Sequence, residues 1–120
     1  MRELVIDLDA VVHNLEVMRS RAGGAMVMGV VKANGYGHGM IEIAKTLESA
    51  GVDYIGVADN EEALQLRAAG LTVPVLTWLQ HPEDDFKAAV SANIDLGLSS
   101  IEQLERVADA AESLGTRANV

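Results

Sequence analysis

The chain has 120 residues, the size of one ordinary domain, and 49% of them are hydrophobic, which is enough for a core and excludes a disordered protein. Its 18 acidic residues outnumber 9 basic ones, and the formal charge of -9 opposes the phosphate backbone that dominates nucleic-acid affinity, which excludes a nucleic-acid binder. The absence of cysteine excludes disulfides, thiolate metal sites and a cysteine nucleophile together, while 3% aromatic content favours aliphatic layers of strands and helices over an aromatic-rich β-sandwich.

The opening Met1-Arg2-Glu3-Leu4-Val5-Ile6-Asp7 acquires charge before a signal-like apolar run can form, and no later segment is long enough to cross a bilayer, so a cytoplasmic protein is expected. Asp9 is the expected N-cap of a helix over 10–21, with Gly23 as its left-handed stop. Residues 26–31 are apolar and partly β-branched, as a buried parallel strand should be, which predicts a strand over 26–32, and 40–50 follows as a helix. Further strands are predicted over 54–58, 73–79 and 94–98, with a fifth beginning near Arg117. Gly51, Gly70 and Gly115 end the intervening helices. Asp84 and Asp85 start one of them, where their charge suits the positive end of the dipole, and Ser99 with Glu102 forms a capping-box pattern before the helix over 101–114. Such strand–helix alternation requires parallel strands, and either a barrel or a doubly wound sheet satisfies it.

The run Val30-Val31-Lys32-Ala33-Asn34-Gly35-Tyr36-Gly37-His38-Gly39 carries the chemistry. Its glycines have the wrong spacing for a dinucleotide fingerprint or a P-loop. Lys32 falls at the strand-to-helix edge, where α/β folds place their sites. A lone lysine there ordinarily sends its ammonium to solvent, but a partly desolvated amine can reach the neutral form that condenses with an aldehyde. Tyr36 stands between two glycines, where its ring can lean over the turn; a packed aromatic with a wet hydroxyl is the plainer alternative. Gly37 and Gly39 provide backbone shape. An imidazole at His38 is a candidate general base, whereas His13 and His81 have no second ligand at metal spacing. Trp78, the sole tryptophan, lies near the carboxyl end of the third strand, bordering a cofactor or packing at the rim.

At every position that run resembles the pyridoxal-phosphate attachment motif of alanine racemases. Ile6-Asp7-Leu8-Asp9-Ala10-Val11-Val12-His13-Asn14-Leu15 looks like the family's N-terminal opening, and Glu61-Glu62-Ala63-Leu64-Gln65-Leu66-Arg67 is similar to its second-helix segment. The resemblance covers the whole chain, which amounts to about a third of such an enzyme, given a barrel of about 250 residues and a further domain.

The resemblance implies an α/β fold in which residues 1–120 form the first half of a (β/α)8 barrel, the N-terminal portion of the cofactor domain, with the C-terminal domain absent; about four βα units cannot close eight strands. It implies pyridoxal 5'-phosphate held by Lys32 as a Schiff base, with the freed lysine as one of two acid/base groups. Tyr36 then hydrogen-bonds the cofactor phosphate, and His38 orders the turn. It further implies interconversion of L- and D-alanine for peptidoglycan by a cytoplasmic homodimer. The second base is a tyrosine from the partner subunit's C-terminal domain, and an arginine faces the pyridine nitrogen; neither can be placed in this chain. A non-catalytic cofactor carrier is expected to read Val-Ser-Lys-Thr-like around the lysine, and a related barrel decarboxylase to lack the Gly-Tyr-Gly-His-Gly tail. A ligand-free scaffold is the remaining reading.

Overall fold

A computed structural model describes residues 1–81 and 83–120. Helix α1 (Leu8–Arg21) comes first, then β1 (Met28–Val30), a one-turn element α2 (Lys32–Tyr36), and α3 (Met40–Ser49). The chain continues through β2 (Tyr54–Val57), α4 (Asn60–Ala68), β3 (Val75–Thr77), α5 (Phe86–Ser91), β4 (Asp95–Leu96) and α6 (Ile101–Leu114). The four strands lie in sequence order and all pair in parallel, as the alternation requires. The register sets Val30 beside Gly56, Gly56 beside Leu76, and Leu76 beside Asp95.

Side chains alternate across a strand, so this register sorts the sheet into two faces. Val31, Ile55, Val57, Val75 and Leu96 are buried on one face, beneath Ile43 and Leu47 of α3, Leu66 of α4, Phe86 of α5 and Val107 of α6. The opposite face carries Met28 and Val30, which remain 37% and 49% exposed. The radius of gyration is 15.7 Å, against about 13.6 Å for a closed domain of this length. The sheet is therefore open, with helices on one side only.

The strands are shorter than the expected spans because side chains take the backbone N–H groups at their margins. Asp53 Oδ2 accepts the Val27 N–H at 2.8 Å, ahead of β1, and Glu48 Oε1 accepts those of Thr72 and Val73, both at 2.7 Å, ahead of β3. The expected fifth strand is represented by the Leu96 N–H donating to the Asn119 carbonyl at 3.0 Å, without a strand forming around it.

Two helix starts correct the expectation. Asp7, not Asp9, caps α1: its backbone is extended and its Oδ1 accepts the Ala10 N–H at 3.1 Å, while Asp9 is already helical and lies in the first turn. Ser100, not Ser99, caps α6, accepting the Gln103 N–H at 3.1 Å, and Gln103 rather than Glu102 reaches back, its Oε1 accepting the Ser99 N–H at 2.8 Å. Elsewhere the expected signals hold. Asp85 caps α5, and Gly51, Gly70 and Gly115 adopt positive φ after their helices. Among the described residues no helix is long and apolar enough to cross a membrane.

Candidate active site at the carboxyl end of the sheet

The site begins where β1 stops. The Val31 N–H still donates to the Gly56 carbonyl at 2.9 Å, and then the backbone reverses hand: φ is +52° at Ala33, +54° at Asn34, +60° at Gly35 and +52° at Tyr36. These residues form one left-handed helical turn. For an L-residue that conformation costs about 1–2 kcal/mol, with glycine exempt and asparagine more tolerant. A turn so strained persists only where its surroundings over-determine it.

Several bonds do so here. The Gly35 N–H donates to the Val31 carbonyl at 2.8 Å, and the Asn34 carbonyl accepts from Gly37 at 3.1 Å and Gly39 at 3.0 Å. Asn34 Oδ1 accepts the Met40 N–H at 3.0 Å, tying the turn to the start of α3. His38 Nδ1 lies 2.8 Å from the Gly35 carbonyl oxygen, so this histidine orders the turn, as expected. Gly37 and Gly39 carry φ of +91° and +94°, conformations a side chain would resist.

The reversal fixes where the chemistry-bearing side chains stand. Lys32 stands half-buried at the carboxyl end of β1, two residues past the last residue of that strand. Its Nζ lies 5.9 Å from the centroid of the Tyr36 ring, at the outer limit of a cation–π contact. That ring is 70% exposed, so its hydroxyl is accessible to a ligand and is not packed away. Trp78 lies on the open face of the sheet. A Cβ on Gly56 would fall 2.7 Å from Trp78 Cζ3 and 2.7 Å from Met28 Sδ, so the indole rests on the bare backbone of β2 and floors the open face.

Other sequence candidates stand apart. His13 is exposed on α1, and His81 Nδ1 accepts the Glu83 N–H at 3.3 Å in the loop before α5. Among the described residues no group of three or more His, Asp or Glu side chains is placed to hold a metal ion.

Sequence reasoning missed Glu62. Noted only within a segment similar to the family's second helix, it accepts the Ala33 N–H on Oε1 at 2.6 Å and the Ala58 N–H on Oε2 at 2.8 Å, joining the turn after Lys32 to the end of β2. The available signal was its place in the first turn of the helix that follows the neighbouring strand.

The perturbed charges are at the other end of the sheet. Glu48 is held below the ordinary glutamate range, first by the Val73 N–H, against the opposing effect of burial, and further by the Thr72 N–H and hydroxyl and by Arg67. Burial lowers Arg67, partly offset by Glu48. The Arg67 guanidinium donates to the carbonyls of Leu71, Val73, Ala92 and Asn93 at 2.8 to 3.1 Å. This pair fastens the amino ends of β3 and β4, remote from Lys32.

A sequence profile for "Alanine racemase, N-terminal domain" matches residues 6–120. The alanine racemase of Mycobacterium ulcerans is 50% identical over 120 residues, all of this chain and 31% of that protein. That of Frankia casuarinae is 51% identical over 116 residues, 97% of this chain and 30% of its own length. The crystal structure of alanine racemase from Streptomyces lavendulae superposes with a TM-score of 0.91 at 41% identity, covering 94% of this chain and 30% of that one. The chain thus spans about a third of the length of the relatives it matches. Its parallel sheet corresponds to the N-terminal portion of their (β/α)8 barrel, and the chain belongs to the alanine racemase N-terminal domain family.

Proposed function

We propose that the protein interconverts L- and D-alanine with pyridoxal 5'-phosphate, and that residues 1–120 supply the N-terminal portion of its cofactor-binding barrel domain. The observation that carries this reading is the approach of Lys32 Nζ to Tyr36 on a rigidly bonded turn at the carboxyl end of a parallel sheet. The donor set fits the cofactor: a primary amine for its aldehyde, and four residues on an accessible phenol for its phosphate.

Bound there, the cofactor supplies an electron sink for the charge left when a substrate loses its Cα proton. Lys32 holds the cofactor through Nζ and, when released from it, moves a proton to or from the substrate Cα on one face. The half-buried position of Lys32 limits water around that amine. Tyr36 anchors the phosphate through its hydroxyl, and Trp78 provides a rigid apolar wall on the open face of the sheet.

Racemisation needs an acid/base group on each face of the substrate. The second group, a tyrosine of the partner subunit's C-terminal domain, and the arginine facing the pyridine nitrogen belong to parts of a cytoplasmic homodimer beyond these residues. Its D-alanine serves peptidoglycan synthesis.

Borohydride reduction of the cofactor-loaded full-length protein, followed by peptide mass mapping, tests the assignment. The pyridoxyl adduct is expected on Lys32. An adduct on Lys45 or Lys87, both exposed on outer helices, would overturn it.

A further inference from the structure

We propose that Glu62 is a positioning residue for Lys32: its carboxylate replaces the next rung of the sheet between β1 and β2, and so holds the lysine's backbone in the left-handed exit. The inference rests on the assignment of Lys32 as the cofactor-holding amine.

The register dictates what that rung would have been. Val30 pairs with Gly56, and the Val31 N–H donates to the Gly56 carbonyl. In a parallel ladder the next bonds would run from the Ala58 N–H to the Val31 carbonyl and from the Ala33 N–H to the Ala58 carbonyl. Both acceptors are engaged elsewhere. The Val31 carbonyl accepts from Gly35 at 2.8 Å, inside the left-handed turn, and the Ala58 carbonyl accepts from Trp78 at 3.3 Å and Leu79 at 2.8 Å. The two displaced donors, Ala33 and Ala58, are the pair that Glu62 collects, one on each oxygen, at 2.6 and 2.8 Å.

One carboxylate therefore satisfies both N–H groups that the reversal releases. Without it, the chain after Lys32 could regain those bonds only by continuing the strand, which would carry Ala33 to the Ala58 carbonyl and undo the turn that brings Tyr36 to Lys32. A two-oxygen acceptor is required. A glutamine offers one oxygen and turns an NH2 group toward the second donor, whereas an aspartate retains both oxygens on a shorter reach. Glu62 is itself fixed, since its backbone N–H donates to the Asp59 cap of α4 at 2.9 Å.

The test uses full-length wild-type protein, E62Q and E62D. Wild type is first trapped with pyridoxal phosphate and borohydride and mapped. An adduct away from Lys32 refutes the cofactor assignment itself, independently of Glu62. With the adduct on Lys32, amide hydrogen exchange and the rate of trapping at saturating cofactor are compared across the variants. E62Q is expected to lose about tenfold or more of the protection at Ala33 and Ala58, as fits the loss of one charge-assisted hydrogen bond, and to trap cofactor on Lys32 slower by a similar factor. E62D should fall between. A purely structural role would lower the unfolding midpoint without slowing trapping in the folded protein. Unchanged exchange at both amides, or faster exchange with unchanged trapping, overturns the proposal; should E62Q not fold, E62D is held to the same two outcomes.

Discussion

Replacing Tyr36 by phenylalanine separates the two features the structure gives this residue. The ring, whose centroid lies 5.9 Å from Lys32 Nζ, is retained, while the hydroxyl is lost. Because the side chain is 70% exposed and its backbone is held at φ +52° by the surrounding turn, losing the hydroxyl removes no core packing. The unfolding midpoint of the cofactor-free protein should therefore stay put. The whole effect should fall on the cofactor: a hydrogen bond to a charged group contributes about 1.5–3 kcal/mol, and at about 1.4 kcal/mol per factor of ten the dissociation constant should rise between about tenfold and about a hundredfold. The assay is a titration of cofactor-free Y36F against wild type, followed by visible absorbance, with turnover measured at saturating cofactor. Unchanged affinity with collapsed turnover would refute the anchoring role and make Tyr36 a participant in proton transfer.

Glu48, whose native pKa lies below its unfolded one, stabilises the fold above the ordinary carboxylate range, and that contribution is lost as pH falls through the range to the depressed native value. E48Q should therefore cost about 1–3 kcal/mol at neutral pH and flatten the acid limb of stability against pH; an acid limb as steep as in wild type counts against the staple. Gly56→Ala places a methyl 2.7 Å from the Trp78 ring, where Met28 can swing aside but the indole must shift as a plate. The sole tryptophan should report this as a changed emission spectrum at a cost of about 1–3 kcal/mol, and unchanged emission would mean that the indole does not rest on Gly56.

Much of the layer structure was legible because apolar runs and caps speak locally. Residues 26–32, 54–58 and 73–79 each contain the strand expected of them, and the glycines closing α3, α4 and α6 behave as left-handed stops. The one-residue errors at α6 and the two-residue error at α1 arose where neighbouring residues of the same type compete, Ser99 with Ser100 and Asp7 with Asp9, and only the backbone dihedral decides between them. The site was legible as a motif, not as a conformation. Of the four residues that form the left-handed turn, Gly35 and, more weakly, Asn34 advertise positive φ; Ala33 and Tyr36 do not, and the turn is enforced by bonds from Val31, Met40 and Glu62. Those partners lie up to 29 positions away, beyond any local pattern, and Glu62 by itself is indistinguishable from an ordinary acidic first turn.

Each end of the sheet uses acidic side chains for the same backbone task, with opposite consequences. At the amino end, Asp53 and Glu48 collect the N–H groups before β1 and β3, while Arg67 collects carbonyls before β3 and β4, so donors and acceptors are both met by side chains and the backbone there is simply fastened. At the carboxyl end, Glu62 collects N–H groups only, and the carbonyls they leave are taken by the backbone itself, Val31 by the reversing turn and Ala58 by the chain leaving β3. That asymmetry lets the strand stop and change hand directly after Lys32. The acidic surplus of the chain is thus partly structural, and its placement leaves a strained, cross-bonded turn at the end where parallel α/β folds carry their chemistry.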